Sequence, residues 1–241
     1  MIRRAAPFAA VLALSPLPTA AQDDPLDSYV TANLLSIFYH ELGHALIDIM
    51  ALPVFGQEED AADTASALMI DLFFEEDTAQ SIVRDAAFGF LDEDAATEGA
   101  PVWWDTHGPD LQRYYNLVCQ FYGGAPTARA DLADALELPE DRAETCEEEF
   151  ELADDSWGPV FDVLFAAGPG NTITYDGETD NFTKKLIAAE VNALNQVWSL
   201  PRPLIVTVAP CDEANAFYDL DARTVTICTE LAPYLREIAG N

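Results

Sequence analysis

Apolar residues recur at helical spacing through most of this chain, and only the last third changes to the alternation of strands. Leu34-Leu35-Ser36-Ile37-Phe38 and Ala45 to Met50 read as one helix with a broad apolar face. A turn at Pro53 and Gly56 follows, then a second helical pattern through Leu68, Met69, Leu72 and Phe73. The middle third predicts helices over Pro109 to Gln120, Ala128 to Leu136, Glu140 to Leu152 and Trp157 to Phe165, punctuated by Gly123-Gly124 and Pro139. Beyond it, Asn171 to Asp176 and Leu204 to Val208 alternate as strands around a helix over Asn181 to Trp198. Cys211 to Asp219 and Arg223 to Cys228 form a β-hairpin over Leu220-Asp221-Ala222, and its second strand leads into a last helix. No repeat or low-complexity tract interrupts this order. The expected class is α+β and mostly helical, with a small antiparallel sheet and a helical annex.

Within the first helix stands His40-Glu41-Leu42-Gly43-His44, an HExxH run. Its histidines are one turn apart on one face, so both imidazoles can reach one cation. Zn²⁺ in a hydrolytic site takes three protein ligands and leaves one position for water. Glu59, in the ExxAD run Glu59-Asp60-Ala61-Ala62-Asp63 that opens the second helix, supplies the third. Glu41 would face the bound water and take its proton. The competing reading makes His40 and His44 partly buried helix histidines. It is weakened because the chain has only three histidines and two stand here, followed by the ExxAD run. Asp48 continues the i, i+4 series and reads as an outer partner or an exposed side chain, whereas Glu58 and Asp60 are expected to point away if Glu59 points in.

Composition sets the surroundings. The net charge is −32, with only two lysines, Lys184 and Lys185. Such a field repels nucleic acid and anionic membrane surface, and favours cationic substrates or partners, or solubility in salt. Runs such as Glu147-Glu148-Glu149 read as solvated faces. Arg3-Arg4, the apolar Ala5 to Leu14 and the small-residue exit to Ala21 read as a signal peptide over residues 1–21, cleaved after Ala21. That run is too short to span a membrane, and no other stretch is long enough. A periplasmic or secreted location follows. In that setting four cysteines fit two disulfides, paired by sequence proximity as Cys119 with Cys146 and Cys211 with Cys228, although four cysteines allow three connectivities. Residues 22–241 make one domain: the motif helices over 22–95, a helical annex over 96–168, and the sheet with its last helix over 169–241.

The third ligand separates the subclasses of HExxH site. A metzincin would need Gly and His where Ile47 and Met50 stand. Glutamate from a following helix resembles the gluzincins, the thermolysin-like group. That resemblance implies that Asp63 accepts a hydrogen bond from a ligand histidine and fixes its tautomer. It implies that a remote His, Tyr or Arg stabilises the oxyanion, for which His107 is the candidate ahead of Arg113 and Tyr114. It also implies that Asn215, Ala216 and Tyr218 bind the backbone of an extended substrate along an edge strand.

His40 to Asp48, Glu58 to Asp63, the Trp104 to Tyr115 stretch and Cys211 to Glu230 together resemble a bacterial metallopeptidase family first catalogued as a domain of unknown function. A zincin-like core with Zn²⁺ as cofactor is what this implies, and little about the substrate, which is expected to be a peptide or protein. One departure stands out: gluzincins place the edge-strand sheet before the HExxH helix, whereas Asn215-Ala216 comes far after it, as in a circularly permuted order. A catalytically silent scaffold that recruits a partner through its acidic surface is the rival reading. A peptidase that is self-inhibited or needs a partner for activation is a third.

Overall fold

The computed structural model describes residues 24–97 and 101–240, so the signal peptide expected at residues 1–21 lies outside the described residues. Helix α1 (Pro25–Met50) is the central element. The Asp24 carboxylate caps it by accepting from the Leu26 N–H at 3.0 Å, and Pro25 fills the first turn, where a missing N–H costs little. A helix apolar on nearly all sides has to be wrapped. Around α1 pack α2 (Glu58–Phe73), α3 (Glu76–Ala96), α7 (Phe182–Asn195), α8 (Leu231–Ile238) and strands β3 (Ala216–Asp219) and β4 (Thr224–Cys228).

The contact between α1 and α2 depends on one glycine. A Cβ at Gly43 would lie 3.0 Å from Ala62 Cα and 3.2 Å from the Ala62 carbonyl oxygen. Gly43 inside HExxH and Ala62 inside ExxAD therefore let the two motif helices meet backbone to backbone. The start of α2 is acidic, with Glu58, Glu59 and Asp60 in its first turn, where carboxylates favour the exposed N–H groups.

The middle helices are α4 (Asp110–Gly124), α5 (Ala130–Ala135) and α6 (Glu140–Ala167). The last was expected as two helices, Glu140 to Leu152 and Trp157 to Phe165. It runs unbroken through Pro159. Trp157, Phe161 and Leu164 are buried, and Phe161 stacks on the fully buried Trp198 at 5.7 Å, so tertiary burial overrides the local breaker. Arg129 is buried and binds the bases of three helices together. It donates to Asp71, to Glu76 at 2.9 Å and to the Phe121 carbonyl at 2.6 Å, and its guanidinium lies 3.6 Å from the Phe121 ring centre. Cys119–Cys146 joins α4 to α6 with S–S 2.02 Å, and Cys211–Cys228 closes the approach to β3 with S–S 2.06 Å.

The fold is α+β and mostly helical, but the sheet is mixed where a wholly antiparallel one was expected. The strand order is β1 (Ile173–Asp176), β2 (Leu204–Ala209), β4, β3. A connection through α7 carries the chain from β1 to β2, and such a crossover makes the pair parallel. The chain then passes outside β4 to make β3, turns, and inserts β4 parallel to β2 and antiparallel to β3. Leu204, Val206, Val208, Val225 and Ile227 bury one face in the core. This order leaves β3 at the edge of the sheet, against α1.

Candidate metal centre

The two motif helices bring three electron-rich atoms together. His40 Nε2 and His44 Nε2 are 3.2 Å apart, and Glu59 Oε2 lies 3.2 Å from the first and 3.1 Å from the second. These three residues form a group able to hold a metal ion. Zinc bonds of about 2.0–2.1 Å at tetrahedral angles set ligand atoms roughly 3.3 Å apart, so the donor triangle fits zinc.

The outer contacts decide which ring nitrogen carries a proton. His40 Nδ1 lies 2.7 Å from Asp63 Oδ1, and His44 Nδ1 lies 2.8 Å from Glu58 Oε1. Ionised carboxylates only accept, so both Nδ1 atoms donate and each ring presents its Nε2 to the centre of the cluster. Two imidazole nitrogens and a carboxylate oxygen this close need a positive charge among them, a metal ion or, without one, a proton on Nε2 shared with Glu59. The surroundings favour that charge strongly. Burial pulls the His40 imidazole down, but hydrogen bonds to Asp63 and Glu59 outweigh it and raise the group to about 9. Hydrogen bonding to His40 outweighs burial at Glu59 and lowers its carboxyl to about 2.

Glu41 is buried on the same helix, and burial pushes its carboxyl up against the pull of the two histidines. A basic carboxylate in a dry wall suits proton transfer. His107 Nε2 lies 2.9 Å from Glu59 Oε2, so His107 joins the cluster from the loop before α4. Asp105 positions that loop by accepting from the His107 N–H at 3.0 Å, and burial lowers the His107 imidazole.

Asp63 is held from both sides. Arg113 donates from Nε to Asp63 Oδ2 and from Nη2 to Oδ1, each at 2.8 Å. Although burial opposes it, these bonds and His40 hold the Asp63 carboxyl well below the usual range. Arg113 thus faces Asp63, and Tyr114 turns into the core to donate to the Leu136 carbonyl at 2.6 Å. Asp48 accepts from the Tyr218 hydroxyl at 2.8 Å. Glu58, expected to point away, meets His44 instead: its long side chain reaches back across the α1–α2 contact. Neither Glu58 nor Asp105 stood out beforehand. Neighbours on a helix point about 100° apart, which hides Glu58, whereas Asp105 two residues before His107 is an Asx-turn signal that could have been read.

A cleft of about 850 Å³ runs past these residues. His40, Glu41, His44, Glu59 and His107 line it, as do Ala216 and Tyr218 of the edge strand and Asn215 just before it. Among the described residues no helix is long and apolar enough to cross a membrane.

A helix pair offering two imidazoles and a carboxylate beside a buried glutamate is the arrangement of a metal-dependent hydrolase. The chain belongs to the family described as "Putative metallopeptidase", whose profile matches residues 17–160 and 178–241. No curated protein and no solved structure matches the chain.

Proposed function

We propose that this protein is an exported zinc peptidase of gluzincin type, with His40, His44 and Glu59 as the zinc ligands. The observation that carries this reading is the convergence of two imidazole nitrogens and one carboxylate oxygen within 3.2 Å of one another, a donor set that suits a cation. Bound zinc would polarise the scissile carbonyl and lower the pKa of a water toward ~7. Glu41, buried on the same helix, would be the base that accepts a proton from water held there and delivers it to the leaving amine. Asp63 and Glu58 accept from the Nδ1–H groups, which leaves Nε2 as the atom each histidine would present to the metal and raises its basicity. His107 has its ring beside the donor triangle, where an N–H can reach the developing oxyanion.

An extended peptide would lie along the free edge of β3, with Asn215, Ala216 and Tyr218 beside it and main-chain hydrogen bonds supplying much of the affinity. The sheet follows the motif helices in the chain yet lines the same cleft, in keeping with a permuted order. Two disulfides suit an oxidising compartment. The net charge of −32 favours cationic peptides.

The test compares wild type with Glu41→Gln on a broad peptide library, with zinc content measured in parallel. Wild type should cleave, and the variant should hold the same zinc and lose at least ~10²-fold in rate. A wild-type protein that holds zinc and cleaves nothing would favour the silent scaffold.

A further inference from the structure

We propose that Arg113 is a positioning residue for the metal centre, acting through Asp63 to fix the orientation and tautomer of His40. The inference rests on the zinc reading above and deepens it. Arg113 comes from α4, whereas His40 and Asp63 come from α1 and α2. Its fork meets the carboxylate in two parallel bonds of 2.8 Å, and the shared oxygen Oδ1 also takes the His40 Nδ1–H at 2.7 Å. A carboxylate gripped this way cannot rotate without breaking two charge-assisted bonds. The imidazole beyond it is then held with Nε2 toward His44 and Glu59.

This chain of contacts differs from its neighbours. The carboxylate behind His44, Glu58, pairs with no lysine or arginine among the described residues and is about half exposed. Asp105 beside His107 is similarly exposed, and the side-chain contact is 3.5 Å. Of these three, only the chain behind His40 ends in a cation, which is partly buried, and Arg113 is the one lysine or arginine lining the cleft among the described residues. The guanidinium also lies 4.6 Å from the Phe90 ring centre, so α3 fixes its plane. Lysine could supply the charge, but not the two-pronged grip or the flat stacking surface.

Zinc affinity, measured by competition with a chromophoric chelator, tests this on Arg113→Met, Arg113→Lys, Asp63→Asn and the Asp63→Asn/Arg113→Met double variant. Circular dichroism at the assay temperature selects folded protein, and if Arg113→Met does not fold, Arg113→Lys carries the comparison. Arg113→Met should bind zinc about 10–100-fold more weakly, with Arg113→Lys between it and wild type. The double variant should bind no more weakly than Asp63→Asn alone, because Arg113 acts through Asp63. Proton NMR of the zinc-loaded protein should show the His40 Nδ1–H resonance shifting in Arg113→Met as its bond to Asp63 loosens. Wild-type affinity in Arg113→Met or Arg113→Lys would overturn the inference, as would a loss that persists in full on the Asp63→Asn background. A wild-type chain that binds no zinc would sink the metal-site reading and this inference together, whereas zinc binding that ignores Arg113 sinks only the second.

Discussion

The Tyr218 hydroxyl donates to Asp48 Oδ2 at 2.8 Å, tying the edge strand to the helix that carries His40 and His44. Asp48 stands one turn beyond His44, so the bond sets how far β3 lies from the proposed zinc ligands. Tyr218→Phe removes it at a cost of about 1 kcal/mol in stability. If β3 binds substrate, KM for a cleaved peptide should rise several-fold while kcat and zinc content stay near wild type. Steady-state kinetics on one peptide reads both, and an unchanged KM would remove Tyr218 from substrate binding.

Gly43 sets the distance between the motif helices. An alanine there must push Ala62 and its helix outward by a few tenths of an ångström, and overpacking of this kind costs about 1–3 kcal/mol. Glu59 travels with that helix. Gly43→Ala should therefore weaken zinc binding by about tenfold or more, together with a lower melting temperature. Undiminished zinc affinity in a folded Gly43→Ala protein would show that the spacing is not critical.

Arg129 carries stability rather than chemistry. Removing a buried arginine strands the carboxylates it faces, and such losses run to about 3–5 kcal/mol. Arg129→Met should lose about that much in urea unfolding, with zinc affinity near wild type once the protein is folded.

Glu190 gives a pH dependence away from the cleft. Tyr39 donates to its carboxyl, and burial, the larger influence, pushes that carboxyl above the usual value. A folded pKa above the unfolded one means that the native state binds the proton more tightly, so this group opposes folding increasingly as pH rises above its unfolded pKa of about 4.3. Glu190→Gln keeps the acceptor oxygen and removes the charge. It should raise the melting temperature at pH 7 and change little near pH 4, where both states are mostly protonated; about 1 kcal/mol would read as roughly 2–4 °C. A larger gain at pH 4 than at pH 7 would reverse the sign and refute the account.

The donor triangle was legible because HExxH and ExxAD fall on single helices, where spacing along the chain translates into a shared face. Helix periodicity likewise marked α1 and α2, and alternation marked β2 and the β3–β4 hairpin. The contacts that cross between elements were hidden. Nothing local shows that Arg113 grips Asp63, 50 residues away, or that Tyr218 reaches Asp48 across 170. The continuity of α6 through Pro159 was masked for the same reason, since it is held by Trp198 from another part of the chain. The mixed sheet escaped because strand order depends on crossovers, which alternation does not record.

X-ray absorption at the zinc edge tests the central claim most directly. The protein reconstituted with one equivalent of zinc should show two imidazoles and one carboxylate at about 2.0–2.1 Å, one further light ligand and no sulfur. Loss of one imidazole signal in His44→Ala would agree. A sulfur shell, fewer than two imidazoles, or a zinc environment untouched by changes at His40, His44 and Glu59 would contradict it.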